Sequence, residues 1–298
     1  MSRPPVVIAH RGASGYLPEH TLPAKALAHG MGADFLEQDV IGTRDGQLIV
    51  FHDLHLDQLT DVARQFPGRA RADGLHYCID FTLAEIRTLR LTERRRRIGS
   101  GARFPGRFPL DTGSFRIHTL EDELEFIRGL NQSTGRQAGV YAEIKDPAWH
   151  EQHGFPLGDR LIETLRAFGY KTHADNFYIQ CFDGCELRRV RTRFGAEVPL
   201  IQLLEKGAVL SRESLTGVGE YAHGIGPALG MAWPDRGLVG TARDLGLVVH
   251  PYTFRADELP PGFKDFNALL TTFIDTLQVE GVFTDFPDLV VRYLHGRA

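Results

Sequence analysis

Cysteine is scarce in this chain: Cys78, Cys181 and Cys185 are an odd number and form no CxxC pair. Buried thiols are therefore expected, rather than a disulfide framework or a thiolate zinc site. Long apolar runs are also lacking, and no stretch approaches the ~20 residues that cross a bilayer as a helix. Nor is there an excess of positive charge. The 34 Lys and Arg residues are outnumbered by 38 Asp and Glu, a net charge of -4, which argues against a protein whose main task is to coat nucleic acid. No internal repeat or low-complexity tract stands out. The N-terminus MSRPPVVIAHRG lacks the pattern of a secretory signal. As written, the chain is expected in the cytoplasm, or in the periplasm if a leader was removed from it.

What is present is an ordinary globular composition, 42% apolar and 24% charged over 298 residues. Short apolar strands are expected at 6–10, 35–40, 140–145, 177–182, 199–204, 224–227, 247–254 and 281–286. Amphipathic helices are expected between them, at 119–131, 161–168, 183–194, 236–245 and 265–277. Thr119 followed by Glu121, Asp122 and Glu123 reads as an N-cap with acids in the first turn. Eight strands with helical crossovers point to a (β/α)8 TIM barrel, one unit over residues 1–298, with a doubly wound sheet as the competing architecture. A ninth apolar run, 48–51, follows the second strand too closely for a parallel crossover. Asp45-Gly46 is a hairpin signal, so this ribbon should turn back over the barrel mouth and deliver His52 there. From 54 to 118 the alternation fails, which reads as an insertion after the second strand, forming pocket wall and supplying no catalytic group. Its run Arg94–Arg97 could bind nucleic acid or anionic lipid, but reads better as a solvated loop on a net acidic chain.

The stretch FLEQDVIGTRDGQLIVFHD carries charges where buried strands should have none. Glu37 and Asp39, two apart, point to one face of a strand and should repel. Other polar residues also gather at strand ends: His10 and Arg11, His52 and Asp53, Glu143 and Lys145, and Asp285. A single strand-end histidine is usually structural. So many charges at one end of a barrel are hard to explain by stability, because buried ion pairs roughly break even. Three carboxylates, Glu37, Asp39 and Glu143, suit a hard divalent cation that would relieve their repulsion. Arg11 and Lys145 suit phosphate. His10 and His52 can exchange protons near neutral pH. Together they spell hydrolysis or transfer at phosphate.

The ordered motifs AHRGASGYLPEHTLPA, FLEQDV, DGQLIVFHD, AEIK, YIQCFD, VVHPYTFR and GVFTDFPD resemble the glycerophosphodiester phosphodiesterase family, particularly its bacterial periplasmic subgroup. The resemblance runs from His10 to Asp288. It implies a TIM barrel with a segment inserted after the second strand, and hydrolysis of glycerophosphodiesters to glycerol 3-phosphate and an alcohol. It also implies His10 and His52 as acid and base, Arg11 and Lys145 on phosphate, and Glu37, Asp39 and Glu143 on one divalent cation. Calcium is expected ahead of magnesium. Glu19, His20, Asp53 and Asp285 are expected to back these groups, although His20 reads equally as a helix-entry residue beside Thr21. Where many relatives have tryptophan, this chain has Pro251-Tyr252-Thr253-Phe254. The partner is then a small molecule, with no nucleic acid and no membrane insertion; the sequence does not set the oligomeric state. The competing functions are a non-catalytic surface binding protein on the same barrel and a phospholipase-D-like activity on lysolipids.

Overall fold

Val6-Val7-Ile8-Ala9 is apolar throughout, as suits a strand covered on both faces, and it forms β1 (Val6–Ala9). The computed structural model describes residues 4–195, 197–208, 210–233 and 237–296. Parallel pairing continues from β1 through β2 (Phe35–Gly42), β4 (Gly139–Ile144), β5 (Phe177–Cys181), β6 (Leu200–Leu204), β7 (Gly224–Pro227) and β8 (Val248–Val249). β9 (Gly281–Thr284) returns to the other edge of β1. The result is a nearly closed TIM barrel of eight parallel strands. Extended residues after β8 complete the circle: Phe254 N–H donates to the Phe283 carbonyl at 2.8 Å, and Phe283 N–H to the Pro251 carbonyl at 3.2 Å. Regular pairing was expected over 247–254 but holds only at Val248 and Val249. Pro251 has no N–H to give, so the ladder breaks there into isolated bridges.

The remaining strand, β3 (Leu48–Val50), pairs antiparallel with β2, Val40 opposite Val50 and Gly42 opposite Leu48. Gly46 turns the hairpin at φ +82°, and His52 follows at the barrel mouth, as the sequence reading anticipated. The helix at 119–131 extends over Leu120–Thr134. Thr119 accepts from Asp122 N–H, the Asp122 carboxylate accepts from Thr119 N–H in return, and Gly135 ends the helix at φ +72°. The helix expected over 236–245 spans Gly237–Asp244, its first expected residue lying outside the described ones. The stretch 265–277 is α-helical only at Phe266–Leu270 and π-helical at Thr271–Thr276. There the Thr272 hydroxyl donates to the Ala268 carbonyl at 3.0 Å, competing with the regular ladder.

Residues 54–118 contain short helical turns around their own apolar cluster. Leu56, Leu59, Val62, Phe81, Ile86 and Leu91 pack with Ile41, Ile49 and Phe51 of the hairpin, apart from the main core. On the far side of β2, helix Leu22–Gly30 presents Lys25, which is fully buried. Its ammonium donates to the Glu37 carbonyl and lies 2.7 Å from Glu123 on helix Leu120–Thr134. Glu123 in turn meets His118 at 2.6 Å.

Candidate active site

The chain leaves β1 through His10-Arg11-Gly12 in a turn that only certain residues tolerate. Arg11 sits at φ +59° and Gly12 at φ +85°. A side chain at Gly12 would meet the Ala24 backbone at 2.8 Å, so glycine is required there. His20, at φ +57°, donates its N–H to the Arg11 carbonyl at 3.0 Å. Left-handed backbone at two non-glycine residues joined by that hydrogen bond is the kind of strain that gathers at functional sites. The turn aims Arg11 N–H at Glu37 (2.7 Å), its guanidinium at Glu19 (2.9 Å), and His20 at Asp39 (2.7 Å).

Glu37 and Asp39 share a face of β2, and β4 sets Glu143 in register with Asp39. Gln180 on β5 reaches both Glu37 (3.3 Å) and Glu143 (3.5 Å). The Lys145 ammonium lies 2.7 Å from Glu143 and 3.7 Å from Asp39. Burial and the neighbouring Asp39 push the Glu37 carboxyl well up; burial likewise raises Glu143, to about 7. Burial also opposes ionisation of Asp39, but Lys145, His52 and Arg11 outweigh it and hold that carboxyl well below its ordinary range. One Asp39 oxygen is buried with no hydrogen-bond donor. Mutually repelling carboxylates and an orphaned oxygen are what a hard cation would satisfy, so the residues present fit one. Among the described residues, His20, Glu37 and Asp39 form a buried group whose ligand atoms lie within 4.8 Å of one another, able to hold a metal ion.

Each histidine leans on one carboxylate. His10 Nδ1 lies 2.6 Å from Asp285 at the end of β9, and His52 Nδ1 lies 2.5 Å from Asp53. An ionised carboxylate only accepts, so each Nδ1 carries the proton and Nε2 is left as the basic atom. Burial, then Arg11 and Lys145, lower His52 to about 3; burial and Arg11 also lower His10.

The arginine run of the inserted segment departs from the solvated loop expected of it. Arg94 is 14% exposed rather than solvated, and it forks between Glu19 (2.7 and 2.8 Å) and Asp53 (2.7 Å). Arg107 reaches Asp285 at 2.7 Å, beside Arg255 at 2.8 Å. Sequence reasoning missed these three arginines and Gln180. Gln180 had a signal, a polar residue inside the strand motif YIQCFD. Arg107 had none, because Asp285 lies 178 positions away.

Two cavities meet at these groups. One, about 320 Å³, sits above Glu37, Glu143 and Gln180 and is walled by Phe182, Tyr252 and Phe283. Tyr252 is thus the aromatic that the PYTF stretch contributes. The other, about 610 Å³, lies under the inserted segment, and His10, Arg11, His52, Lys145 and Arg255 line both.

A parallel barrel that collects imidazole, guanidinium, ammonium and carboxylate groups at the carboxyl ends of its strands has the architecture of a TIM-barrel enzyme. The glycerophosphoryl diester phosphodiesterase family matches residues 10–289. The chain belongs to that family and is a phosphoric diester hydrolase. A Haemophilus influenzae glycerophosphodiester phosphodiesterase is 42% identical, the alignment covering 98% of this chain and 90% of the relative. One from Treponema pallidum is 36% identical over 97% and 91%. An Oleispira antarctica phosphodiesterase, solved with the product sn-glycerol-3-phosphate, shares the fold: TM-score 0.71 at 21% identity, over 98% of this chain and 97% of that one. Among the described residues, no helix is long and apolar enough to cross a membrane.

Proposed function

We propose that the enzyme hydrolyses glycerophosphodiesters, deacylated phospholipids such as glycerophosphocholine and glycerophosphoethanolamine, to glycerol 3-phosphate and the free alcohol. The observation that carries this reading is the seam between the two cavities. There two carboxylate-backed histidines share walls with Arg11 and Lys145, next to a carboxylate cluster. Phosphate oxygens would be met by the Arg11 guanidinium and the Lys145 ammonium. One imidazole Nε2 takes the proton of the attacking oxygen, and the other histidine, entering protonated, gives its proton to the leaving oxygen. A bound phosphodiester anion favours that protonated form, opposing the effect of burial and of Arg11. Glu37, Asp39 and Glu143 would hold one divalent cation, calcium ahead of magnesium, with His20 bracing Asp39. When bound, such an ion supplies Lewis-acid stabilisation of charge on phosphate. A binding protein without catalysis would have no use for two histidines so anchored.

The test is direct. Purified protein with glycerophosphocholine and added Ca2+ or Mg2+ should release glycerol 3-phosphate, and exhaustive chelation should stop it. Glu143→Gln should weaken cation affinity and activity together. Turnover unaffected by chelation would overturn the role of the carboxylates.

A further inference from the structure

Arg94 and Arg107 lie 13 positions apart in the inserted segment, yet each ends on a carboxylate that itself ends on a histidine. On one side Arg94 grips Asp53, and Asp53 grips His52. On the other Arg107 grips Asp285, and Asp285 grips His10. The inner links are the short ones, 2.5 and 2.6 Å. The two chains share no carboxylate: Arg94 is otherwise held by Glu19 and Gln58, Arg107 by Asp257 and the Ser14 carbonyl. Arg107 and Asp285 are the more buried pair, at 4% and 2% exposed, against 14% and 12% for Arg94 and Asp53.

We infer that Arg94 and Arg107 are positioning residues, one for each histidine, and that the inserted segment sets the proton-transfer geometry of the barrel beneath it. The inference rests on the proposed function. An aspartate anchored only by an imidazole can rotate about its side-chain torsions. In both arms a guanidinium N–H on the far oxygen, Oδ2 at 2.7 Å, fixes the oxygen that faces Nδ1, and with it the ring plane and the tautomer. The favourable charge pairing keeps the carboxylate ionised and so purely an acceptor. The arms are unequal. Asp285 has a second arginine, Arg255, whereas among the described residues the only arginine ion-paired to Asp53 is Arg94. Removing Arg94 should therefore cost more than removing Arg107.

The two arms act on different proton transfers, and that separates them from a general structural role. A leaving alcohol such as choline needs a proton as it departs, whereas p-nitrophenolate does not. We expect Arg94→Ala and Arg107→Ala each to lower kcat on glycerophosphocholine, at least tenfold for Arg94→Ala, with KM changed by less than threefold. On the p-nitrophenyl diester of glycerol phosphate, the variant in the general-acid arm should recover most of its kcat, and the other should not. Guanidinium added to the buffer should partly restore Arg94→Ala. Should either alanine variant fail to fold, the lysine variant, which keeps the charge and loses the fork, takes its place in the comparison. Equal losses on both substrates by both variants, or losses confined to KM, would overturn the inference while leaving the enzyme's function intact. Wild-type protein releasing glycerol 3-phosphate from neither substrate would overturn the proposed function, and this inference with it.

Discussion

His10 and His52 each engage a carboxylate through Nδ1 and line the cavities rather than the core. Truncating either removes a proton-transfer group without opening a void in the packing. His10→Ala and His52→Ala should each lose at least the ~10²-fold that general acid or base catalysis supplies, with the far-UV circular dichroism spectrum unchanged. Near-normal turnover by His52→Ala would mean that the hairpin does not serve the reaction. The attacking oxygen can be tested at the same scale. A glycerol hydroxyl beside the phosphorylated carbon is already held next to phosphorus, an advantage that bulk water lacks. Its attack, with a histidine taking the proton, would give a cyclic glycerol phosphate that water then opens. A substrate with that hydroxyl replaced by hydrogen should then bind but scarcely turn over; normal turnover would leave water as the nucleophile.

Among the elements, helices Leu22–Gly30 and Leu120–Thr134 are joined to β2 by the buried pair Lys25–Glu123. Replacing Lys25 with Met leaves a buried carboxylate without its main partner, which typically costs about 3–5 kcal/mol, readable as a fall in the urea midpoint. Burial opposes ionisation of Glu123, but Lys25 and His118 outweigh it and hold the group at about 2. Its pKa is depressed on folding. The stabilisation is therefore complete above the ordinary carboxylate range and fades as pH falls toward about 2. Lys25→Met should flatten stability in that window, and an unchanged acid limb would show that the pair contributes little. Such elements were legible to different degrees. The strand set, the hairpin and the capped helix after Thr119 were readable because their signals are local: apolar runs, Asp45-Gly46, and a threonine followed by acids. Glu37, Asp39, Glu143 and the two histidines stood out as charges inside apolar strands. The π-helical stretch was not anticipated, and of the helix at Leu22–Gly30 only the entry beside Thr21 was read. Arg94 was misjudged because a run of arginines looks solvated until Glu19 and Asp53, 75 and 41 positions away, are brought to it.

At the scale of the whole molecule, a chain of net charge -4 opens onto a cavity with seven arginines in its lining. Arg96 and Arg97 are exposed, Arg97 lining that cavity, while Arg94 and Arg95 are tied into ion pairs. Exposed charge steers anions and is screened by salt. Arg96→Gln with Arg97→Gln should therefore reduce the salt dependence of kcat/KM and leave kcat alone; a collapse at saturating substrate would bring one of them to the transition state. Beside the main apolar core and a set of five buried strand residues, the molecule has a smaller core under the inserted segment, and the hairpin that ends in His52 turns Ile41, Ile49 and Phe51 into it and Val40, Leu48 and Val50 into the main one. Local opening free energy tracks how much apolar contact a region has, so the smaller core is the weaker cooperative unit. On heating, hydrolysis should fail several degrees before the barrel loses its ellipticity, and a protease should nick residues 54–118 in that interval. Coincident transitions would instead show that both cores melt as one.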